Sequence, residues 1–159
     1  MYDHRITAAD KPALYRDLAA ALEALVAGEP DGIANMANAA ALIFESLPDL
    51  NWAGFYRNLG GELVLGPFQG RAACIRIPFG TGVCGAAAAT LAVQRVDDVH
   101  AFPGHIACDA ASNSELVVPI VREGKLLAVL DLDSPLKARF DAADEAGCVR
   151  LGEIIATAL

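Results

Sequence analysis

The sequence has 159 residues, a hydrophobic fraction of 55% and a formal net charge of −8 at pH 7. This composition favours one folded domain with a packed core and argues against intrinsic disorder. The negative charge argues against a nucleic-acid-binding or anionic-membrane surface, because both require clustered Lys and Arg.

The first apolar segment carries Arg16, Asp17 and Glu23, so we expect neither a signal peptide nor a membrane span. A cytoplasmic location then follows by default, and thiols are kept reduced in that compartment. The chain contains four cysteines. In a cytoplasmic protein they indicate redox catalysis, metal binding or simple burial rather than a structural disulfide framework.

Two N-terminal helices are predicted, the first over residues 12–27 and the second from Asp31 as cap to Pro48. Pro12 suits the first turn of the first helix, and Gly28 suits its stop. Each helix has an apolar stripe that faces the core or a second copy of the chain. The stripes comprise Leu14, Leu18, Ala21, Leu22 and Leu25 in the first helix, and Ile33, Met36, Ala37, Ala40, Phe44 and Leu47 in the second.

From residue 51 the pattern changes to short strands. A hairpin is predicted from residues 52–57 and 62–65, a third strand over 73–77 that carries Cys74, and a brief strand over 93–96. A second hairpin is predicted over 116–121 and 125–132, and a last helix after Asp141 that contains Cys148. Hairpins between helices indicate an α+β fold with a mostly antiparallel sheet of about six strands. We predict one domain over residues 1–159, with helices in 1–47, the sheet and its loops in 48–135, and a helix in 140–159.

The glycine-rich turn over residues 79–85 carries Cys84 and leads into an alanine-rich helix that ends near Leu91. Its glycines resemble a dinucleotide-binding fingerprint only superficially, because the βαβ unit of that motif is missing. We interpret them as a tight turn that brings Cys84 close to other backbone. Cys148 lies in a helix with no loop feature nearby, which favours a buried, spectator thiol.

The stretch over residues 97–114 has neither a helical nor a strand period. It carries Cys108, His100 and His105 together with several acidic residues. Loops longer than about 12–15 residues are uncommon in compact domains and are often functional. Cys108 is therefore predicted to be a reactive thiol. Two alternatives are a metal site formed by His105 and Cys108, and a Cys–His hydrolase with either histidine as base for Cys108 or Cys84.

Three acidic residues follow this stretch. If the turn over residues 121–125 is a three-residue loop with Gly124 in the left-handed conformation, Glu115 lies opposite Asp131, and Asp133 shares their face. A two-residue loop would place Glu115 and Asp131 on opposite faces, so the inference depends on the register. Like charges on one face repel, which predicts that a cation neutralises them. The alternative is that they are solvated residues at strand ends.

Six segments stand in the order found in one known family. They are NWAGFY (51–56), LGPFQG (65–70), GVCG (82–85), FPGHIACD (102–109), SE (114–115) and VLDLDSP (129–135). Together they resemble the free methionine-(R)-sulfoxide reductases, which are stand-alone GAF domains. The resemblance covers roughly residues 48–147, and the N-terminal helices match only in general character. The alternative function is that of ordinary GAF domains, which bind small ligands as sensors and do not catalyse a reaction.

The resemblance implies a role for each thiol. Cys108 matches the cysteine that attacks the sulfoxide, Cys74 the cysteine that resolves it as a disulfide, and Cys84 an alternative resolving cysteine. An external dithiol such as thioredoxin would regenerate the enzyme, with no bound metal or organic cofactor. The stretch 97–114 would be a lid that moves between the reduced and disulfide forms. The N-terminal helices are candidates for a homodimer contact.

The resemblance also implies how the substrate is held. Glu115, Asp131 and Asp133 match acidic residues around the ammonium group of free methionine sulfoxide. Trp52 and Tyr56 match an aromatic wall around the sulfoxide and its methyl group. The cation expected from the three carboxylates would therefore be the substrate itself.

Overall fold

The structure is a computed structural model and describes residues 10–105 and 109–159. In these ranges the elements are α1 (Lys11–Val26), α2 (Gly32–Ser46), β1 (Trp52–Leu59), β2 (Glu62–Gly70), β3 (Arg76–Pro78), α3 (Gly82–Thr90), β4 (Gln94–Val96), a 3₁₀ helix (Val99–Ala101), β5 (Ser114–Arg122), β6 (Lys125–Ser134) and α4 (Ala142–Thr157). Among the described helices, none combines the length and hydropathy needed to cross a membrane.

The strands form one six-stranded sheet in the order β3-β2-β1-β6-β5-β4, and every described neighbour pair is antiparallel. Helices α1, α2 and α4 pack on one face and build the larger apolar core. Helix α3 packs on the other face over a second core that contains Trp52, Tyr56 and Val117. The predicted α+β fold with six mostly antiparallel strands is therefore confirmed.

The helix ends follow the sequence signals. The Asp10 side chain accepts a hydrogen bond from the Ala13 backbone at the start of α1, and Asp31 caps α2 in the same way. Helix α1 ends at Val26, just before Gly28, whose φ is +79°. Two residues of the predicted α2 stripe, Ile33 and Ala37, are exposed and do not pack in the core of this chain.

The buried face of α2 comprises Asn35, Met36, Ala39, Ala40 and Ile43. Its orientation follows from Asn35, which is 2% exposed. The Asn35 side-chain amide donates hydrogen bonds to the backbone oxygens of Glu29 and Ala158, both at 2.9 Å. Because a buried amide needs such partners, these bonds fix which side of α2 turns inward.

A buried carboxylate joins α1 to α4. Asp144 is 1% exposed and accepts hydrogen bonds from the Tyr15 hydroxyl at 2.8 Å, Lys11 Nζ at 2.6 Å and Arg139 Nη1 at 3.1 Å. The Cys148 thiol donates to the Tyr15 hydroxyl at 3.7 Å, and burial raises the pKa of Cys148 to about 12. Cys148 is thus a buried structural thiol, as its position in the last helix indicated.

The predicted third strand was misplaced. Strand β2 extends to Gly70, β3 begins only at Arg76, and Cys74 lies in the segment between them. Pairing between β2 and β3 stops near Leu65, whose backbone N–H donates to the Ile75 oxygen. Just beyond Leu65 the register of β2 against β1 shifts by one residue, since Tyr56 pairs with Leu65 but Gly54 pairs with Phe68. The chain therefore leaves the sheet before it reaches Cys74.

The turn between β5 and β6 was also predicted wrongly. Arg122 pairs with Lys125, so the loop has two residues, Glu123 and Gly124, with φ of +51° and +74°. Positive φ at both positions is typical of the type I′ turn that matches the twist of a hairpin. The predicted three-residue loop is not formed.

A β-bulge offsets this shorter turn. Val121 pairs with Leu126 but Ile120 pairs with Ala128, so Leu127 is an extra residue in β6. Beyond the bulge, Glu115 lies opposite Asp133 rather than opposite Asp131, which faces Val117. The predicted pairing was therefore wrong by two residues. The faces are unchanged, because a shift of two residues keeps every side chain on its side of the sheet.

Candidate functional site

A pocket lies on the α3 face of the sheet, between β1, β5, β6, the start of α3 and the polar stretch before β5. Its empty volume is ≈ 530 Å³, counting the space at its mouth. The sequence-predicted binding residues that line it are Trp52, Tyr56, Glu115, Asp131 and Asp133, together with Cys84. The fold therefore brings residues that are up to 81 positions apart in sequence (Trp52 and Asp133; 133 − 52 = 81) to one place.

One wall of the pocket is aromatic. Trp52 and Tyr56 from β1 are each 2% exposed, and their rings stack with centroids 5.8 Å apart. Trp52 also stacks on Phe68 at 5.2 Å, and its indole N–H donates to the Arg71 backbone oxygen at 3.1 Å. At Gly54, between the two rings, an added Cβ would lie 2.3 Å from Phe68 Cβ. The wall therefore requires glycine at this position.

The floor of the pocket is acidic. Glu115 and Asp131 are 7% and 5% exposed, and Asp133 is partly buried. Burial raises the pKa of Glu115 well above its usual value, and the charges of Asp131 and Asp133 raise it further. Burial also raises the pKa of Asp131 to about 6, against hydrogen bonds that lower it. The pKa of Asp133 is raised by burial and then by Asp131.

One oxygen of this floor has no partner. Among the residues that the structure describes, none hydrogen-bonds to the buried Oδ1 of Asp131. Gly54 lies opposite Asp131 across the β1–β6 ladder and has no side chain to cover it. A buried carboxylate oxygen without a donor costs free energy unless a ligand supplies one. The floor is therefore suited to a cationic group.

Cys84 lies in the first turn of α3 and is 4% exposed. Its thiol donates to Glu115 Oε1 at 3.9 Å. Burial, followed by the charges of Asp131 and Glu115, raises the pKa of Cys84 well above its usual value. Cys84 is therefore a protonated thiol at neutral pH, which makes it a weak nucleophile in this setting.

The other two sequence-predicted thiols differ from Cys84. Cys74 is partly buried and disulfide-bonded, whereas Cys84 and Cys148 are free. Ala73, the neighbour of Cys74, lines the pocket, so Cys74 lies close to its rim. Cys108, the predicted nucleophile, lies outside the described residues.

The stretch over residues 97–114 is partly ordered by secondary structure, contrary to expectation. Val99–Ala101 form a 3₁₀ helix, and Ser114 already belongs to β5. The end of the stretch is attached to the sheet by Asn51. Its side-chain amide donates to Asp109 Oδ2 at 3.1 Å and to Ser112 Oγ at 3.0 Å.

Asn51 is a site residue to which sequence reasoning assigned no role. It opens the motif over residues 51–56, and its polar side chain directly before an apolar strand was the available signal. Asp109, Ser112 and His105 were likewise not assigned to the pocket, although all three line it. Their contribution depends on contacts between distant segments, which local patterns do not reveal.

His100 and His105 lie next to each other, with ring centroids 6.2 Å apart. His105 lines the pocket, and burial lowers its pKa, as does the nearby His100. Its Nδ1 is buried and has no hydrogen-bond partner within residues 10–105 and 109–159. The ring of His100 is hydrogen-bonded to Asn113 Oδ1 at 3.2 Å. Burial and the nearby His100 therefore favour the neutral imidazole of His105 over the imidazolium.

The antiparallel sheet, with three helices on one face and an acidic, aromatic-walled pocket under α3 on the other, defines a domain of the GAF type. A family profile described as "GAF domain" matches residues 33–159. This match covers most of the chain and includes every described strand and the residues that line the pocket.

The chain is 54% identical over 142 residues to the free methionine-R-sulfoxide reductase of Escherichia coli K12, covering 89% of this chain and 86% of that protein. A crystal structure of free methionine-R-sulfoxide reductase from Neisseria meningitidis in complex with its substrate matches with a TM-score of 0.95 and 45% identity, covering 99% and 95% of the two chains. The reduced form of the Staphylococcus aureus enzyme matches with a TM-score of 0.89 and 46% identity, covering 91% and 94%. The chain belongs to the GAF-domain family of free methionine-R-sulfoxide reductases, which confirms the resemblance carried by its motifs.

Proposed function

We propose that this chain reduces free methionine-(R)-sulfoxide to methionine. The observation that carries the proposal is the presence, in one pocket, of three acidic side chains beside stacked aromatic rings. An ammonium group satisfies the acidic floor, and the aromatic wall accommodates the methyl and methylene groups beside the sulfoxide. The substrates that the relatives' names specify have both features.

The acidic floor accounts for a preference for the free amino acid. A methionine sulfoxide within a peptide has no α-ammonium, so its binding would leave Glu115, Asp131 and Asp133 buried without a cation. Sites that are built to pair a polar group reject ligands that lack it, because the buried partner is then left unsatisfied.

The two most buried carboxyls of the pocket have different roles in the proposed reaction. Asp131, with a pKa raised to about 6, is mainly ionised at neutral pH and pairs with the ammonium. Burial, followed by the charges of Asp131 and Asp133, raises the pKa of Glu115 well above its usual value, which favours its protonated form. Glu115 therefore serves as the acid that protonates the sulfoxide oxygen. Two neighbouring carboxyls with separated pKa values are a common basis for such a division.

The chemistry begins with attack of the Cys108 thiolate on the sulfoxide sulfur while an acid protonates the oxygen. The attack forms a bond between Cys108 Sγ and the substrate sulfur. The protonated oxygen then transfers to Cys108 Sγ while that S–S bond and the S–O bond of the substrate break, so methionine leaves and Cys108 becomes a sulfenic acid. The substrate thereby gains two electrons and Cys108 loses two. A second thiol condenses with the sulfenic acid to form a disulfide and water. An external dithiol such as thioredoxin then reduces that disulfide by exchange.

Cys74 is the better candidate for the resolving thiol. It is disulfide-bonded and lies beside the pocket rim, which supports a role in the redox cycle. Cys84 is buried against Glu115 and its pKa is raised well above the usual value, so its thiolate is disfavoured. Cys84 serves as a resolving thiol only if the acidic floor rearranges. These steps need neither a bound metal nor an organic cofactor.

The test is consumption of NADPH in a coupled assay with thioredoxin, thioredoxin reductase and free methionine-(R)-sulfoxide. We expect turnover by the wild type and by Cys148→Ser, which removes a buried thiol far from the pocket. Cys108→Ser should abolish turnover, and Cys74→Ser should abolish multiple turnover while leaving a single turnover. N-acetyl-methionine sulfoxide, which lacks the ammonium, should have a kcat/KM lower by at least about 100-fold.

The alternative function is a non-catalytic GAF module that binds a small ligand. That module would bind methionine sulfoxide without any NADPH consumption, and its binding would be unchanged in Cys108→Ser and Cys74→Ser. Binding without turnover by the wild type would therefore overturn the proposed reductase activity.

A further inference from the structure

The thiol of Cys84 and two of the floor carboxylates form a cluster with the chemistry of a metal site. One ligand atom from each of Cys84, Glu115 and Asp131 can be chosen so that all three atoms lie within 4.8 Å of one another. All three side chains are buried. We propose that the pocket binds a divalent zinc ion through these three residues, and that the ion and the ammonium of the substrate exclude each other.

The distances are close to what zinc requires. With Zn–S near 2.3 Å and Zn–O near 2.1 Å, tetrahedral geometry separates the ligand atoms by about 3.4–3.6 Å. Cys84 Sγ is already 3.9 Å from Glu115 Oε1. Movements of about an ångström or less would therefore bring the ligands into coordination.

A second observation points to a bound cation independently of the cluster's composition. The Oδ1 of Asp131 belongs to a side chain that is 5% exposed, lines the pocket, and has no hydrogen-bond partner in the described part of the chain. Such an atom is uncommon in a folded protein and indicates a missing ligand. A metal ion would satisfy it directly.

The ligand set favours zinc over harder cations. Thiolate ligands favour zinc, whereas magnesium and calcium prefer sites made of oxygen atoms alone. Three protein ligands leave a fourth position open towards the pocket, where water can bind. On coordination the Cys84 thiol releases its proton, and the zinc–thiolate bond replaces the contact with Glu115.

The ion would occupy the position assigned to the substrate ammonium, so competition between them rests on the proposed function. Metal binding itself does not. Because Cys84 is free while Cys74 is disulfide-bonded, the disulfide form of the protein can be used for the test. This form needs no added thiol, which would otherwise chelate the metal.

The experiment uses cobalt(II) as a spectroscopic probe for the full-length chain in its disulfide form. We expect one equivalent of cobalt to produce a thiolate-to-cobalt charge-transfer band, and one equivalent of zinc to abolish it. Cys84→Ser should lose the band, and Cys148→Ser should keep it. Asp131→Asn should weaken cobalt binding at least about 10- to 100-fold, the loss that removal of an outer-shell partner alone causes.

Asp133→Asn is the matched control, because Asp133 lies in the same pocket but outside the cluster. It should keep the band. Absence of the band in the wild type, or its persistence in Cys84→Ser, would overturn the metal site. Free methionine sulfoxide should displace cobalt. A band that is unaffected by saturating methionine sulfoxide would overturn the mutual exclusion, while turnover of the metal-free reduced enzyme tests the reductase activity separately.

Discussion

Replacing Asp131 with Asn should stabilise the unliganded chain at neutral pH while impairing its binding of the substrate. Burial raises the pKa of Asp131 from 3.8 to about 6 in the folded state. The folded protein therefore favours the protonated form more than the unfolded chain does. The resulting contribution to stability is fully present below the unfolded pKa and is lost as the pH rises through the folded pKa.

The magnitude follows from the size of this shift. The difference between 3.8 and about 6 is about 2 pKa units, and each unit corresponds to 1.36 kcal/mol, so ionised Asp131 costs about 3 kcal/mol above pH 7. Asparagine has nearly the same shape and is neutral at every pH. The gain in free energy of unfolding for Asp131→Asn should thus rise from near zero at pH 4 towards about 3 kcal/mol at pH 7.5. For a chain of this size, each kcal/mol raises Tm by about 2–4 °C.

The assay is urea unfolding followed by the fluorescence of Trp52, the single tryptophan of the chain, in amine-free buffers between pH 4 and 8. Asp17→Asn is the control, because Asp17 is exposed on α1 and its substitution removes the same charge at a site away from the pocket. If Asp131→Asn is no more stable than the wild type at pH 7.5, or if its effect does not change with pH, the cost assigned to the buried carboxylate is wrong.

Two further predictions concern the same pocket. Below pH 6, protonation of Asp131 removes the partner of the ammonium, so kcat/KM for free methionine-(R)-sulfoxide should fall by up to about tenfold per pH unit, mainly because KM rises. Steady-state kinetics from pH 5 to 8 that show no such fall would contradict the pairing of Asp131 with the ammonium. Gly54→Ala should destabilise the chain by about 1–3 kcal/mol and raise KM, because its Cβ would lie 2.3 Å from Phe68 Cβ. Unfolding and kinetics both check this, and a variant of wild-type stability and KM would show that the aromatic wall tolerates a side chain at this position.

The alternation of apolar and acidic residues was enough to predict that Glu115, Asp131 and Asp133 share a face, but not to predict which residues pair. The pattern has a period of two, so it specifies faces and leaves the register open to shifts of two residues. The actual register is set by the type I′ turn and the bulge at Leu127. The sequence contains no comparably clear signal for a bulge.

The sequence predicted the helix caps and the hairpins because these depend on neighbouring residues. The prediction from sequence failed where contacts with residues distant in the chain determine the structure. The buried face of α2 depends on the bond from Asn35 to the Ala158 backbone, and the site role of Asn51 depends on Asp109 and Ser112. The third strand was misplaced for a similar reason, because its bounds depend on its pairing with β2, which ends near Leu65.

The two-residue turn at Glu123 and Gly124 and the extra residue Leu127 have a consequence for insertions and deletions in this hairpin. A gain or loss of one residue in either feature alone would turn Asp131 and Asp133 from the pocket into the apolar core. An inserted residue in the turn together with a deleted residue at the bulge, or the reverse, would keep the three carboxylates on the pocket face. Length changes should therefore occur in compensating pairs, and a three-residue turn should accompany a β6 strand without a bulge. The site thus depends on the number of residues between Glu115 and Asp131 as strictly as on the presence of these two carboxylates.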